Sequence, residues 1–101
     1  MKRPEIISVD ELDGYIHQSG VLLIDLRSHE EYERSHIVGA INIPYDTFDE
    51  KMILPSHKIL ILYCDRGSSS LAKSRELAEQ GYGVKSVAGG IHAYRGKYLT
   101  K

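Results

Sequence analysis

The 101-residue sequence predicts an α/β fold with a small parallel β-sheet flanked by helices on both faces. Two observations lead to this prediction. Continuous rather than alternating apolar runs, which are typical of strands buried on both faces, occur at 21–26 and 58–63. Segments with the apolar spacing of helices alternate with such runs, as in chains that build parallel sheets. Ligands bind such sheets at the carboxyl ends of strands, so a site is expected there.

The remaining elements follow from local signals. Ile6 and Ile7 predict a short first strand, and Ser8 with Glu11 forms a capping box that starts a helix ending at Gly20. A second helix is predicted at 28–34, a short strand at 40–44, a long helix from Gly67 to near Gly81, a strand at 84–87 and a last helix at 91–99.

The composition indicates a single domain over residues 1–101 and excludes several classes of function. Hydrophobic residues make up 42% of the chain and charged residues 27%, with a net charge of −1, so a core can form. Thirteen Lys and Arg against 14 Asp and Glu leave no positive field for nucleic acid. No apolar run approaches the ~20 residues of a membrane span, and no signal peptide is recognisable. The single cysteine cannot form an internal disulfide or a structural zinc site, so we expect no metal, no cofactor and a cytoplasmic location.

That cysteine, Cys64, directly follows the strongest predicted strand and opens a turn rich in glycine and serine. A loop that closes onto a helix N-terminus directs several unpaired amides into one concavity, which attracts anions. The residues expected to surround the sulfur are Asp65, Arg66, Gly67, Ser68, Ser69 and Ser70. Arg66 adds positive charge, Asp65 opposes it, and Gly67 permits a tight turn. The sequence therefore predicts an activated cysteine facing an anion pocket, rather than an inert buried thiol.

Three chemistries suit such a cysteine. Cysteine phosphatases place an arginine after five intervening residues, where this chain has Ser70. In sulfur transfer the thiolate attacks the outer sulfur of a donor such as thiosulfate and becomes a persulfide, and a loop one residue shorter suits that smaller group. A cysteine hydrolase needs a histidine base, and the spacing of the five histidines pairs none with Cys64.

Motifs along nearly the whole chain resemble those of single-domain rhodaneses, which are sulfurtransferases. In the order of that family they are Ile7-Ser8 with Glu11-Leu12, Asp25-Leu26-Arg27, Glu31-Tyr32 with 36–44, the 64–70 loop, and Gly89-Gly90-Ile91-His92-Ala93-Tyr94. The resemblance implies a rhodanese-like fold and a catalytic Cys64 whose persulfide is held by the backbone amides of Asp65, Arg66, Gly67, Ser68 and Ser69. It also implies a thiosulfate-type donor and a thiophilic acceptor such as cyanide or a protein thiol, with a thioredoxin-like protein as one such partner.

One departure from the family bears on the donor. Many members carry arginine where this chain has Ser69, so Arg66 is expected to take over part of the anion binding. Asp25 and Arg27 are interpreted as an ion pair that supports the strand end near the loop, and His36 as a structural residue. A non-enzymatic module that carries sulfur or docks a partner remains the alternative to an enzyme.

Overall fold

Parallel pairing organises the strands into a central sheet, as the continuous apolar runs predict. The computed structural model describes residues 3–49 and 52–101. Within those ranges the sheet contains β1 (Glu5–Ile7), β2 (Val21–Asp25), β4 (Ile41–Asn42), β5 (Ile59–Tyr63) and β6 (Val84–Val87). Their order is β1-β6-β5-β2-β4, and every pair is parallel. A separate antiparallel pair joins β3 (His36–Ile37) to β7 (Leu99–Thr100).

The helices begin at the signals that the sequence carries. They are α1 (Val9–Leu12), α2 (His29–Arg34), α3 (Ser68–Glu79) and α4 (Gly90–Ala93), with a 3₁₀ turn at Tyr45–Thr47. Capping boxes start the first two helices, at Ser8 with Glu11 and at Ser28 with Glu31. No helix within the described ranges is long and apolar enough to cross a bilayer.

Strand β5 explains why the apolar runs are continuous. Leu60 and Leu62 pack into a core cluster with Leu77 and Ala78 of α3. Ile61 and Tyr63 point to the opposite face, into a second cluster that contains Leu12 of α1 and Tyr94, which follows α4. Both faces of the sheet are therefore covered by helices, which confirms the predicted α/β fold.

Two predicted helices are too long. The helix predicted to end at Gly20 stops at Leu12, and the chain continues in turns closed by bonds such as Tyr15 N to Leu12 O (2.9 Å). Gly14 lies in that segment, where glycine disfavours helix.

The last helix, predicted over 91–99, stops at Ala93 because the chain turns back. A Cβ at Gly96 would collide with the Tyr94 hydroxyl, so this reversal needs glycine. It brings Leu99 and Thr100 alongside β3.

Candidate active site

The side chain of Cys64 lies directly after β5, at the carboxyl end of the sheet and beneath the start of α3. It is 5% exposed. Its Sγ accepts hydrogen bonds from the backbone amides of Gly67 (3.0 Å) and Ser70 (3.4 Å). Gly67 is the residue before α3, and Ser70 lies in the first turn of that helix. Backbone amides at these positions have no hydrogen-bond acceptor within the helix. Two donors at the positive end of the helix dipole stabilise negative charge on the sulfur.

The Cys64 loop is held from the other side by α4. The amide of Ile91 donates to the carbonyl of Cys64 (2.9 Å), and that of His92 to the carbonyl of Asp65 (3.0 Å). Gly90 makes this approach possible, because its φ is +58° and a Cβ there would lie 2.6 Å from the Asp65 oxygen and closer still to that of Cys64. The Gly89-Gly90 motif therefore allows the chain to pack directly against the backbone of Cys64 and Asp65.

A pair of buried serines fixes the amide that reaches the sulfur from α3. The Ser70 hydroxyl bonds the Gly67 carbonyl (3.1 Å) and the Ser86 hydroxyl (3.0 Å). The carbonyl can only accept, so the Ser70 proton goes to it and Ser86 donates to Ser70. Ser86 was missed from the sequence; the signal for it was a polar residue inside a strand whose neighbours Val84 and Val87 are buried.

Replacing Ser86 by alanine removes that donor and leaves Ser70 with one partner. We expect a loss of about 1 kcal/mol in the free energy of unfolding. We also expect alkylation of Cys64 by iodoacetamide to slow by up to about fivefold, because the Ser70 amide is less firmly held. Ser19→Ala, at an exposed turn, is the matched control. Unchanged alkylation in a destabilised S86A protein would restrict Ser86 to a structural role.

The end of β2 carries a buried ion pair beside the loop. Asp25 is fully buried, and Arg27 binds both of its carboxylate oxygens, with Nη2 2.8 Å from Oδ2. Nη2 also donates to the Ser35 carbonyl (2.6 Å). Burial alone lowers the pKa of Arg27, but the hydrogen bond and charge of Asp25 outweigh it and raise the pKa overall. The guanidinium is therefore charged and its charge is balanced within the protein.

Tyr63, which precedes Cys64, is a core residue rather than part of the pocket mouth. It is 1% exposed, and its hydroxyl accepts from the Ile37 amide (3.0 Å). Burial raises the pKa of Tyr63, and the charge of Asp25 raises it further. The phenol therefore stays neutral next to the ion pair.

A cleft of about 350 Å³ opens in front of Cys64. One wall comes from the end of β2 and the start of α2, and another from Pro44, Tyr45 and Asp46. Asp65 and Ser69 of the Cys64 loop complete it. No histidine is among the described residues that line it, which disfavours the cysteine-hydrolase alternative.

The structure separates three of the predicted loop residues from the lining of this cleft. Arg66, Gly67 and Ser68 line a different hollow of about 260 Å³, together with Ile6. The side chain of Arg66 is 70% exposed, and its Nε lies 3.8 Å from Asp65. Arg66 therefore does not supply the positive charge expected of it in front of the sulfur.

His36 is a structural residue. Its ring stacks on Tyr32 with centroids 3.7 Å apart, and Nδ1 lies 2.7 Å from the Tyr32 carbonyl oxygen.

Comparison with known proteins identifies the family. The model of the rhodanese-like domain family matches residues 8–97. This chain belongs to the rhodanese family. The rhodanese folds of Staphylococcus aureus and Thermoplasma volcanium proteins are similar to it. The S. aureus rhodanese-like domain protein has a TM-score of 0.83 at 28% identity, with 95% of this chain and 96% of that one covered. The T. volcanium rhodanese-related protein has a TM-score of 0.81 at 26% identity, with coverage of 95% and 97%.

Curated relatives of this rhodanese are larger proteins. A tRNA sulfurtransferase of Desulfurococcus amylolyticus is 40% identical over 86 residues, which are 85% of this chain and 17% of that protein. A tRNA uridine(34) hydroxylase of Photorhabdus laumondii is 29% identical over 95% of this chain and 30% of that protein. The rhodanese therefore spans less than a third of the length of these relatives.

Proposed function

We propose that this rhodanese is a sulfurtransferase in which Cys64 carries a sulfane sulfur, as a persulfide, from a donor to a thiophilic acceptor. The observation that supports this most is the position of Sγ, at the floor of a cleft and within 3.0 Å and 3.4 Å of two backbone amides. The kinship with a protein named as a tRNA sulfurtransferase supports the reaction class. A lone cysteine suits a reducing compartment such as the cytoplasm, where the thiol stays available.

The proposed reaction has two displacement steps. The Cys64 thiolate attacks the outer sulfur of a thiosulfate-type donor; a new S–S bond forms, the donor's S–S bond breaks, and its electron pair leaves on sulfite. Cyanide or the thiolate of a thioredoxin-like protein then attacks the outer sulfur and releases the Cys64 thiolate. The amides of residues 65–69 are proposed to hold the persulfide, with that of Ser70 added because it reaches Sγ. Neither step needs a cofactor.

The phosphatase alternative is weaker at this site. Ser70 occupies the position of the phosphate-clamping arginine, and its hydroxyl is engaged by Gly67 and Ser86. The sulfur-carrier alternative uses the same persulfide, and the fact that relatives contain this domain as one part of a longer chain favours it.

Sulfur uptake by the wild-type protein and by Cys64→Ser tests the proposal. Incubation with thiosulfate or inorganic polysulfide should add one sulfur atom to the wild-type intact mass. Cys64→Ser should add none, because its hydroxyl is a poor nucleophile, while circular dichroism shows an unchanged fold.

Uptake by neither protein, or equal uptake by both, contradicts the proposal. Release of the sulfur to cyanide favours the enzyme; release only to a particular protein thiol favours the carrier. Hydrolysis of an aryl phosphate that depends on Cys64 would support the phosphatase alternative.

A further inference from the structure

Acidic residues from three segments of the chain line the Cys64 cleft. Glu31 comes from the first turn of α2, Asp46 from the 3₁₀ turn, and Asp65 from the loop itself. Asp46 and Asp65 are exposed, so both remain available to a molecule that enters. Glu31 is held in position, because its carboxylate accepts from the Ser28 amide (3.4 Å) and hydroxyl (3.0 Å).

Positive charge offsets these carboxylates only in part, through Arg66, whose Nε lies 3.8 Å from Oδ2 of Asp65. Among the described residues lining the cleft, Arg27 is the one cation, and its guanidinium is bound to both oxygens of Asp25. Arg66 lines the other hollow. Lys73 is not among the residues that line the cleft; its Nζ lies 5.2 Å from the centroid of the Tyr45 ring and pairs with Glu76 at 2.9 Å. An incoming group therefore meets a net negative wall before it reaches the amides around the sulfur.

This arrangement discriminates between donors by charge. A free dianion such as thiosulfate is repelled along the whole approach, and only the amides at the floor attract it. A sulfur atom on a cysteine flanked by lysine or arginine is attracted by the same wall. The apolar stems of those side chains can pack on Pro44 and on Tyr45, which is 39% exposed.

We propose that the physiological sulfur donor of Cys64 is a cysteine persulfide on a partner protein, in a segment carrying lysine or arginine next to that cysteine, and that Glu31, Asp46 and Asp65 select it. The inference rests on the sulfurtransferase function proposed above. In the transfer, the Cys64 thiolate attacks the outer sulfur, which keeps its proton; the partner's S–S bond breaks and its electron pair leaves on the partner's thiolate.

Two synthetic peptide persulfides, identical except for two lysines or two glutamates flanking the cysteine, provide the test, with thiosulfate as the free dianion. Rates of sulfur uptake by Cys64 are measured by intact mass at low ionic strength and in about 1 M salt, where charges are screened beyond ~3 Å. At low ionic strength the lysine peptide should react at least about tenfold faster than the glutamate peptide. The ratio should fall towards one in high salt.

Charge-neutralising variants connect the preference to the wall. Three variants each remove one charge from the cleft: Asp46→Asn, Asp65→Asn and Glu31→Gln. Each should lower the ratio of the lysine-peptide rate to the glutamate-peptide rate, and each should speed the reaction with thiosulfate. Glu79→Gln, which removes an exposed carboxylate at the far end of α3, should leave both unchanged. Thermal unfolding of each variant checks that the fold is retained.

Equal rates for the two peptides, or a faster reaction with the glutamate peptide or thiosulfate, overturn this inference and leave Cys64 as the sulfur acceptor. Absence of uptake from every donor contradicts the sulfurtransferase function itself.

Discussion

Asp25→Ala is expected to lower the free energy of unfolding by about 3–5 kcal/mol, because it leaves a buried guanidinium without its counter-charge. The side chain of Arg27 is 9% exposed, and after the substitution the Ser35 carbonyl is the hydrogen-bond acceptor left to its guanidinium among the described residues. Asp25 is also paired in register with Tyr63, the residue before Cys64, so sulfur uptake should slow as well. Urea unfolding at neutral pH and the sulfur-uptake rate measure the two effects.

A matched control and a double variant isolate the cause of that loss. Glu33→Ala removes one partner of the exposed pair with His29 and should change stability little. Asp25→Leu combined with Arg27→Met removes both buried charges and should recover much of the lost stability. If Asp25→Ala were no more destabilising than Glu33→Ala, the buried pair would not support this end of the sheet.

Gly90→Ala is expected to abolish most sulfur uptake and to destabilise the fold. Alanine at φ +58° costs about 1–2 kcal/mol by itself. Its Cβ would also meet the carbonyl oxygens of Cys64 and Asp65, which are backbone atoms and cannot swing aside. The loop must therefore shift, and the amides of Ile91 and His92 lose their acceptors.

Gly81→Ala is the control for backbone strain. Gly81 has a φ of +100°, and a Cβ there would meet no atom within 4 Å. It should lower stability by about 1–2 kcal/mol and leave the sulfur-uptake rate unchanged. Equal uptake rates for Gly90→Ala and Gly81→Ala would show that contact with α4 does not hold the loop in its reactive form.

The sheet was predictable from the sequence because a strand that is buried on both faces must be apolar at every position. Every residue of 60–63 enters one of the two core clusters, so the run had to be continuously apolar. The position of Cys64 followed from the same reasoning, since a residue directly after a buried parallel strand lies at the sheet edge where ligands bind. The capping box at Ser8 was equally predictable, because it is local.

What could not be predicted depends on contacts between distant segments. The turn at Gly96 and the pairing of β7 with β3 set the end of α4, and no local pattern encodes either. Arg66 illustrates the same limit in the site, since its residue type predicts a positive charge but not the side of the loop on which it lies. Ser86 is 16 residues from Ser70, and only the fold brings the two hydroxyls together.

The hydrogen bonds from Ile91 and His92 to the carbonyls of Cys64 and Asp65 make the shape of the Cys64 loop depend on residues that follow it by 27 positions. A chain that extends only as far as β6 contains every strand of the central sheet, but it lacks the two amides that bind the Cys64 loop. The loop therefore reaches the geometry described here only when the chain through His92 is present to pack against it.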